Sequence, residues 1–172
     1  RHGPVVHDGA SGRYALQWTA LDRNQTSSFD AFYRIDRARN WGEMLAALRR
    51  YTGAAQNFVY ADRQGNIGWY AAGRIPIRAK GDGMLPIDGA SDAGGMWTKF
   101  IPFDELPHLY NPEGGVIVTA NQRTAGPAYP YHLGTAWSTP YRARRIIDLL
   151  SAKKKLTLDD MRAVQGDTYS WS

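Results

Sequence analysis

Residues 57–72 read NFVYADRQGNIGWYAA, and this stretch carries the clearest structural signal in the chain. Aromatic and β-branched side chains are frequent in residues 57–61 and 67–72, which favours two strands. The polar residues between them include Gly65, which readily adopts the positive φ that a tight hairpin turn requires. The stretch therefore predicts a β-hairpin in which residues 57–61 pair antiparallel with residues 67–71, within a larger antiparallel sheet.

Weaker patterns predict strands on both sides of this hairpin. Residues 14–21 alternate so that every second side chain from Tyr14 shares one face, as a half-buried strand requires. Residues 115–120, GVIVTA, predict a short apolar strand that runs into Asn121. Glycine and proline interrupt other stretches, which are predicted to be irregular loops or connectors: residues 73–98, 100–110 and 122–139.

Helical patterns lie before the hairpin and at the end of the chain. Residues 29–33 predict a short helix or irregular turn, and Asn40 is expected to cap a helix over residues 41–51. A further helix is predicted over residues 140–151, and Thr157 is expected to cap the last one. Because strands come first and helices last, the order predicts an α+β fold with an antiparallel sheet.

The composition is that of a globular chain. The 172 residues (19.2 kDa) are 43% apolar and 22% charged, which suits one domain of ordinary size or a piece of a larger one. No cysteine occurs, so disulfide scaffolds, zinc fingers and cysteine nucleophiles are excluded. No apolar run is long enough to predict a membrane span. The chain starts at Arg1 without an initiator methionine or signal peptide and stops without a turn signal, so an internal fragment is expected.

The charge is basic overall but unevenly distributed. The net charge is +5, and arginine provides most of the cations, yet residues 81–120 hold one basic and six acidic side chains. Two interpretations follow: a nucleic-acid surface, or a mixed surface with arginines paired to carboxylates. The acidic block and the lack of any nucleic-acid motif favour the second, so no nucleic-acid partner is expected.

Sequence motifs for a complete catalytic site are absent. The histidines His2, His7, His108 and His132 are scattered and show no metal-ligand spacing. Neither a GxSxG elbow nor a phosphate-binding loop occurs. The residues by themselves therefore offer no nucleophile–base pair.

The patterns leave alternatives open at Asn121 and Arg142. Asn121 follows an apolar strand as the chain breaks into a loop, where its amide could donate to a developing oxyanion or satisfy loop backbone groups. Arg142 follows Pro140 at a predicted helix start, where a cation opposes the helix dipole. It could be held there by another group or be a solvated arginine.

A set of short strings is spread over nearly the whole chain, and their order carries more information than any one of them. The strings are HGP at 2–4, WTALD at 18–22, NW at 40–41, QNFVYAD at 56–62, GNIG at 65–68, GRIP at 73–76, IPF at 101–103, LP at 106–107, NP at 111–112, TAN at 119–121 and PYRA at 140–143. In this order they resemble the penicillin acylase (penicillin amidase) family of N-terminal nucleophile hydrolases. The resemblance implies part of an αββα sandwich with antiparallel sheets and C-terminal helices. It also implies that residues 1–172 are one partial domain, an internal segment of the nucleophile-bearing β chain.

The resemblance implies roles for four residues. In this family a precursor cleaves itself, and its second chain then begins with a serine that attacks an amide while its own α-amino group acts as base. Asn121, in TAN, matches the asparagine that holds the oxyanion, and Arg142, in PYRA, matches an arginine that supports the nucleophile's surroundings. The Arg142 side chain is therefore expected to point toward Asn121 rather than to open solvent. Phe32 and Gln56 fall where residues line the acyl pocket and bind substrate.

The resemblance also implies groups that this chain does not contain. The serine would lie well upstream, so the α chain and the N-terminal part of the β chain are the expected partners, and the fragment alone is expected to be inactive. Some members bind calcium, but the Asp expected after Tyr129 and Pro130 is missing around His132, and at most the Gly83 carbonyl could contribute. No metal and no cofactor are therefore expected.

Location and substrate are less closely defined. The resemblance implies a periplasmic or secreted enzyme without membrane attachment. Its small-molecule amide substrate could be a β-lactam, an acyl-homoserine lactone or another amide. A basic interaction module and a structural domain that has lost catalysis stay open as alternative functions.

Overall fold

The computed structural model describes residues 3–22, 28–89 and 97–169, and these ranges contain seven strands and four helices. The strands are β1 (Val5–Gly9), β2 (Gly12–Ala15), β3 (Gln56–Ala61), β4 (Ile67–Ala72), β5 (Pro76–Arg78), β6 (Trp97–Phe100) and β7 (His108–Tyr110). The helices are α1 (Ser28–Ile35), α2 (Trp41–Leu48), α3 (Tyr141–Ser151) and α4 (Leu158–Gln165). Strand pairs in the described ranges are antiparallel and the last two elements are helices, so the predicted α+β class is confirmed.

The chain divides into two compact units. The first contains the residues up to Gly115 together with Pro130–Thr135, and so includes all seven strands with α1 and α2. The second contains Val116–Tyr129 and the residues from Ala136 onward, and so includes α3 and α4. The assignment of residues 1–172 to one partial domain stays a prediction.

The predicted hairpin is confirmed in its register. Asn57 lies opposite Ala71 and Ala61 opposite Ile67, and β7 adds a third antiparallel strand on the far side of β4. In the turn, Gly65 takes a φ of +87°, and the Asp62 carboxylate accepts hydrogen bonds from backbone amides inside the turn. The side chain of Asp62 thus fixes the turn that sets the pairing.

The core of the first unit joins α1 and α2 to this sheet. Its buried cluster comprises Ala31, Met44, Leu48, Tyr51, Tyr60, Tyr70, Ala72, Ile101 and Leu106. Trp41 packs beside this cluster, with its ring 5.3 Å from Tyr60 and stacked 5.1 Å from Tyr110. Because Trp41 begins α2 and its ring partners lie on β3 and β7, this side chain fastens the helix to the sheet.

Gly68 on β4 is required by this packing. A Cβ added at Gly68 would lie 2.6 Å from the Trp41 ring, which is closer than carbon atoms approach without displacement. We expect Gly68→Ala to lower the free energy of unfolding by about 1–3 kcal/mol, as overpacking of a core does. Urea unfolding followed by circular dichroism measures this loss.

Gly114 provides the matched control for Gly68. It lies in the same unit, and nothing stands within 4 Å of a Cβ added there. Gly114→Ala is expected to change the free energy of unfolding by less than about 0.5 kcal/mol. Equal losses in both variants would contradict the role assigned to Trp41.

Two predicted loops contain short strands. β5 lies within residues 73–98 and pairs with β6, which begins at Trp97 in the same stretch. β7 lies within residues 100–110 and pairs with β4 of the hairpin. The loop predictions were wrong at these positions because each strand has only three or four residues and proline lies at or beside it. Such segments become strands by non-local pairing, which no local pattern reveals.

Two predicted strands differ from the structure as well. The strand expected over residues 14–21 ends at Ala15, and a short 3-10 helix occupies Thr19–Leu21. The pairing of β2 with β1 ends at the next residues, where the Leu16 amide donates to the Pro4 carbonyl. Pro4 has no amide hydrogen and so cannot donate a hydrogen bond back to Leu16. Residues 115–120 form no strand, because no strand pairs with them in the part of the chain that is described.

The predicted helices are confirmed with small shifts at their ends. Asn40 caps α2 by accepting from the Glu43 amide at 2.9 Å, although the helix ends at Leu48 rather than at residue 51. Thr157 caps α4 in a capping box with Asp160, in which each side chain accepts from the other residue's backbone amide. These caps satisfy backbone donors that the first helical turn leaves without partners.

The capping box predicts an acid-sensitive α4. The pKa of Asp160 is lowered to about 2, first by the Lys153 ammonium and then by hydrogen bonds from Thr157. A lowered pKa means that this carboxylate stabilises the folded chain above about pH 4 and that the contribution is lost as the pH falls toward about 2. In Asp160→Asn, the free energy of unfolding should therefore fall less between about pH 4 and pH 2 than it does in the unmodified chain. Asp159→Asn should leave this pH dependence unchanged. Denaturant titration at each pH measures the free energy of unfolding.

Candidate active site

Asn121 lies in a bend of the chain that follows residues 116–120. Its φ is +64°, in the left-handed region that asparagine enters more readily than most residues. Its backbone carbonyl accepts a hydrogen bond from the Ser138 amide at 2.9 Å, which closes the intervening loop. The bend and this hydrogen bond therefore fix the Asn121 backbone, although the residue belongs to no helix or strand.

Arg142, in the first turn of α3, directs its guanidinium at this turn. The Nη2 atom donates to Asn121 Oδ1 and to the Ala120 carbonyl, both at 2.8 Å, and it lies 3.5 Å from Ser138 Oγ. The predicted orientation of Arg142 toward Asn121 is confirmed. Carbonyl oxygens of the second unit thus hold a cation at the end of the helix where the dipole disfavours it.

The Arg142 contact sets the direction of the Asn121 amide. A guanidinium only donates hydrogen bonds, so the oxygen of the amide must face it and the NH₂ group must face away. Asn121 is exposed, and no acceptor among the described residues bonds to its Nδ2. The arrangement therefore presents an oriented donor to solvent, which is the chemistry that stabilising an oxyanion requires.

The side chain of Gln122 bonds to two backbone groups just before Asn121, and we call this pair of bonds the Gln122 clamp. The sequence patterns did not predict it. Its Oε1 accepts from the Ala120 amide at 2.6 Å, and its Nε2 donates to the Val118 carbonyl at 2.8 Å. One sequence signal could have indicated this role. Residues 115–120 resemble a strand, no neighbouring segment in the sequence is predicted to pair with them, and Gln122 offers a side-chain amide just beyond their end.

The two predicted pocket residues lie in the first unit. Phe32, on α1, packs edge-on against Tyr51 at 5.7 Å and beside Phe58 at 6.0 Å, and it remains 46% exposed. Gln56 begins β3 opposite Ala72 and is exposed. The structure thus brings Asn121 together with Arg142 in the second unit and places Phe32 and Gln56 in the first.

The segment in which the resemblance implies a calcium ligand offers no side-chain carboxylate. Residues 128–136, AYPYHLGTA, contain no carboxylate, and calcium is bound by oxygen ligands rather than by His132. Across residues 3–22, 28–89 and 97–169, no three side chains of the metal-binding types gather in one place. Among the same residues, no helix has the length and apolarity that crossing a bilayer requires.

Most of the charge pairs found among the described residues join an arginine to a carboxylate. These pairs involve Arg13, Arg34, Arg49, Arg50, Arg74, Arg145, Arg162 and Lys153. Pairing of this kind favours the mixed-surface interpretation of the basic composition over a continuous cationic face.

Comparison with known proteins places the chain in a family. The sequence model of the family described as Penicillin amidase matches residues 1–172. The chain belongs to the penicillin amidase family. The fold agrees: the structure of a thermostable penicillin G acylase from Alcaligenes faecalis matches with a TM-score of 0.75 and 25% identity. That match covers 95% of this chain and 29% of the acylase chain, and it confirms the N-terminal nucleophile hydrolase fold.

Curated members of the penicillin amidase family are similar over nearly the same length. Penicillin acylase 2 proenzyme of Pseudomonas sp. (strain SE83) is 34% identical over 99% of this chain, and acyl-homoserine lactone acylase QuiP of Pseudomonas fluorescens is 36% identical over 90%. Penicillin G acylase of Escherichia coli is 32% identical over 92%. The chain spans only 22%, 19% and 19% of these relatives, so it corresponds to about a fifth of each.

Proposed function

We propose that this chain is a segment of an amide hydrolase and that it supplies the side-chain donor of the oxyanion hole. Asn121 Nδ2 donates to the oxygen that becomes negative when an amide carbonyl is attacked. Arg142 orients that donor. The observation that carries the proposal is the 2.8 Å bond from Arg142 Nη2 to Asn121 Oδ1, which leaves the NH₂ group directed outward.

The nucleophile in this proposal is an N-terminal serine outside residues 1–172. Its hydroxyl oxygen bonds to the amide carbon while its proton passes to the serine's own α-amino group, whose ordinary pKa of about 8 suits a base at neutral pH. The proton then moves to the leaving nitrogen as the C–N bond breaks, which gives an acyl-serine. Water attacks the acyl-serine by the same route, and Asn121 stabilises the oxyanion in both steps.

The proposed acyl pocket includes Phe32 and Gln56. Phe32 keeps nearly half of its surface exposed although its ring packs on Tyr51 and Phe58, so an apolar surface of fixed orientation is available for an acyl group. Gln56 offers an exposed amide at the start of β3. Substrates with a secondary amide and an apolar acyl group suit these two residues.

The candidate substrates come from the names of the relatives. Some relatives are named penicillin acylases and others acyl-homoserine lactone acylases, and both kinds of substrate contain an acylated nitrogen. We infer the same class of amide for the complete enzyme, with the α chain and the N-terminal part of the β chain as partners and a periplasmic or secreted location. No cofactor takes part in the proposed reaction.

The proposal is tested on the complete enzyme expressed from its full gene. Mass spectrometry of the mature chains should show a new N-terminal serine, and assays with penicillin G and with N-acyl-homoserine lactones should show release of the free amine. The isolated 172-residue chain should hydrolyse neither. Amide hydrolysis by the isolated chain, or a mature enzyme without an N-terminal nucleophile, would overturn the proposal.

A further inference from the structure

We propose that Gln122 is a positioning residue for Asn121, and that its side-chain amide replaces a neighbouring strand along the segment before Asn121. This inference rests on the proposed oxyanion role of Asn121. Gln122 touches neither the substrate nor the reacting atoms in this scheme. It acts by fixing the backbone from which the donor projects.

The two Gln122 bonds go to backbone groups of the kind that pair strands. Along a strand edge, a neighbouring strand bonds to the amide of one residue and to the carbonyl two residues earlier. Gln122 Oε1 and Nε2 meet such a pair, the Ala120 amide at 2.6 Å and the Val118 carbonyl at 2.8 Å. One side chain therefore satisfies two backbone groups that no described strand reaches.

Ala120 is held at both of its backbone polar groups as a result. Its amide bonds to Gln122, and its carbonyl bonds to Arg142 at 2.8 Å. Ala120 is also buried, with 8% of its surface exposed. Since the Ala120 carbonyl belongs to the peptide bond that leads into Asn121, these two contacts fix where the Asn121 side chain starts.

The two Gln122 bonds require one donor and one acceptor on the same side chain, which the neutral amide provides. A carboxylate at this position would still accept from the Ala120 amide, but it would face the Val118 carbonyl as a second acceptor. A protonated carboxyl group would restore the missing donor. Gln122→Glu should therefore regain activity as the pH falls toward the ordinary glutamate pKa of about 4.3, while Gln122→Leu should not.

The experiment compares kcat and KM of the complete, matured enzyme with one chromogenic N-acyl amide. The variants are Gln122→Leu, Asn121→Gly and their combination, and Gln165→Leu is the control because it makes the same exchange at an exposed position on α4. Gln122→Leu should lower kcat about 10-fold with little change in KM, which is less than the roughly 10²-fold cost of a 1 Å misplacement because Arg142 still holds the Asn121 amide. It should lower kcat no further when Asn121 is already glycine, because there is no donor left to position.

The outcomes separate this inference from the proposed function. An unchanged kcat in Gln122→Leu together with a large loss in Asn121→Gly would overturn the role of Gln122 and leave the oxyanion role standing. An unchanged kcat in Asn121→Gly would overturn the proposed function, and the inference with it. A full further loss from Gln122→Leu in the Asn121→Gly background would show that Gln122 does not act through Asn121.

A second readout applies if Gln122→Leu fails to mature. The ratio of kcat between Gln122→Glu and the wild-type enzyme is measured from pH 7 to pH 5, so that the pH dependence of the wild type cancels. A ratio that rises as the pH falls supports the clamp. A ratio that stays constant over this range overturns it.

Discussion

Asn121→Ala is expected to lower kcat of the complete, matured enzyme roughly 10²–10³-fold, which is the usual cost of removing one oxyanion donor. KM should change much less, because the negative oxygen exists only in the transition state. Steady-state kinetics with a chromogenic N-acyl amide measures both constants. The enzyme must first be shown by mass spectrometry to have matured, since an unprocessed precursor is inactive for another reason.

Two further variants isolate the donor from the backbone. Asn121 has a φ of +64°, so alanine adds backbone strain, whereas Asn121→Gly removes the side chain without that strain. Asn121→Asp keeps an oxygen facing Arg142 but has no NH₂ group. All three should lose kcat, and an unchanged kcat in any correctly matured form would return Asn121 to a purely structural role.

Asn111 is the matched control for these variants. It also has a positive φ, of 46°, and its side chain accepts from the Ile67 amide at 2.9 Å and donates to Asn66 at 2.8 Å. Asn111→Ala is therefore expected to lower the free energy of unfolding by about 0.5–1.5 kcal/mol, the net value of a hydrogen bond that water can replace, and to leave kcat unchanged.

Arg142→Ala is expected to produce the second largest loss, about 10²-fold in kcat, because misplacing a catalytic group by about 1 Å costs this much. Without the guanidinium, the Asn121 amide can rotate and the Ala120 carbonyl loses a partner. Kinetics of the matured enzyme measures the loss. Arg144→Ala, on the same helix, serves as the control and should retain kcat.

A double-mutant cycle shows whether Arg142 works through Asn121. If it does, Arg142→Ala should cost far less in kcat when Asn121 is already alanine. Arg142→Lys should recover only part of the activity, because an ammonium lacks the planar fork that a guanidinium presents. If the double variant loses kcat by the product of the two single losses, so that their activation free energies add, the proposed coupling is contradicted.

The sequence predicted local structure best where the residues that bond to each other lie close together in the chain. The hairpin has both strands and its turn within residues 57–72, and Asn40 and Thr157 cap helices through side chains only three residues from their targets. β5, β6 and β7 were missed because their partners lie far away in the chain. For residues 115–120 the error was the reverse, because a strand was predicted and none forms. An apolar run becomes a strand only when another strand pairs with it, and no described strand does so here.

The site was predicted unevenly for a related reason. Patterns alone left Asn121 and Arg142 undecided, and the resemblance to a family assigned their roles, while the contact between them required the folded chain. Gln122 escaped notice because a glutamine in a predicted loop has no distinctive spacing. Its proposed role rests on two bonds to backbone groups, and only the folded chain shows them.

The left-handed backbone at Asn121 has an evolutionary consequence. The left-handed backbone and the proposed oxyanion role both restrict this position, so persistence of asparagine in a lineage would reflect two selective pressures at once. Glycine can enter without backbone strain and carries no amide. A homologue with glycine here would keep the turn and lose the donor, which makes this single exchange a marker for a pseudoenzyme within the family.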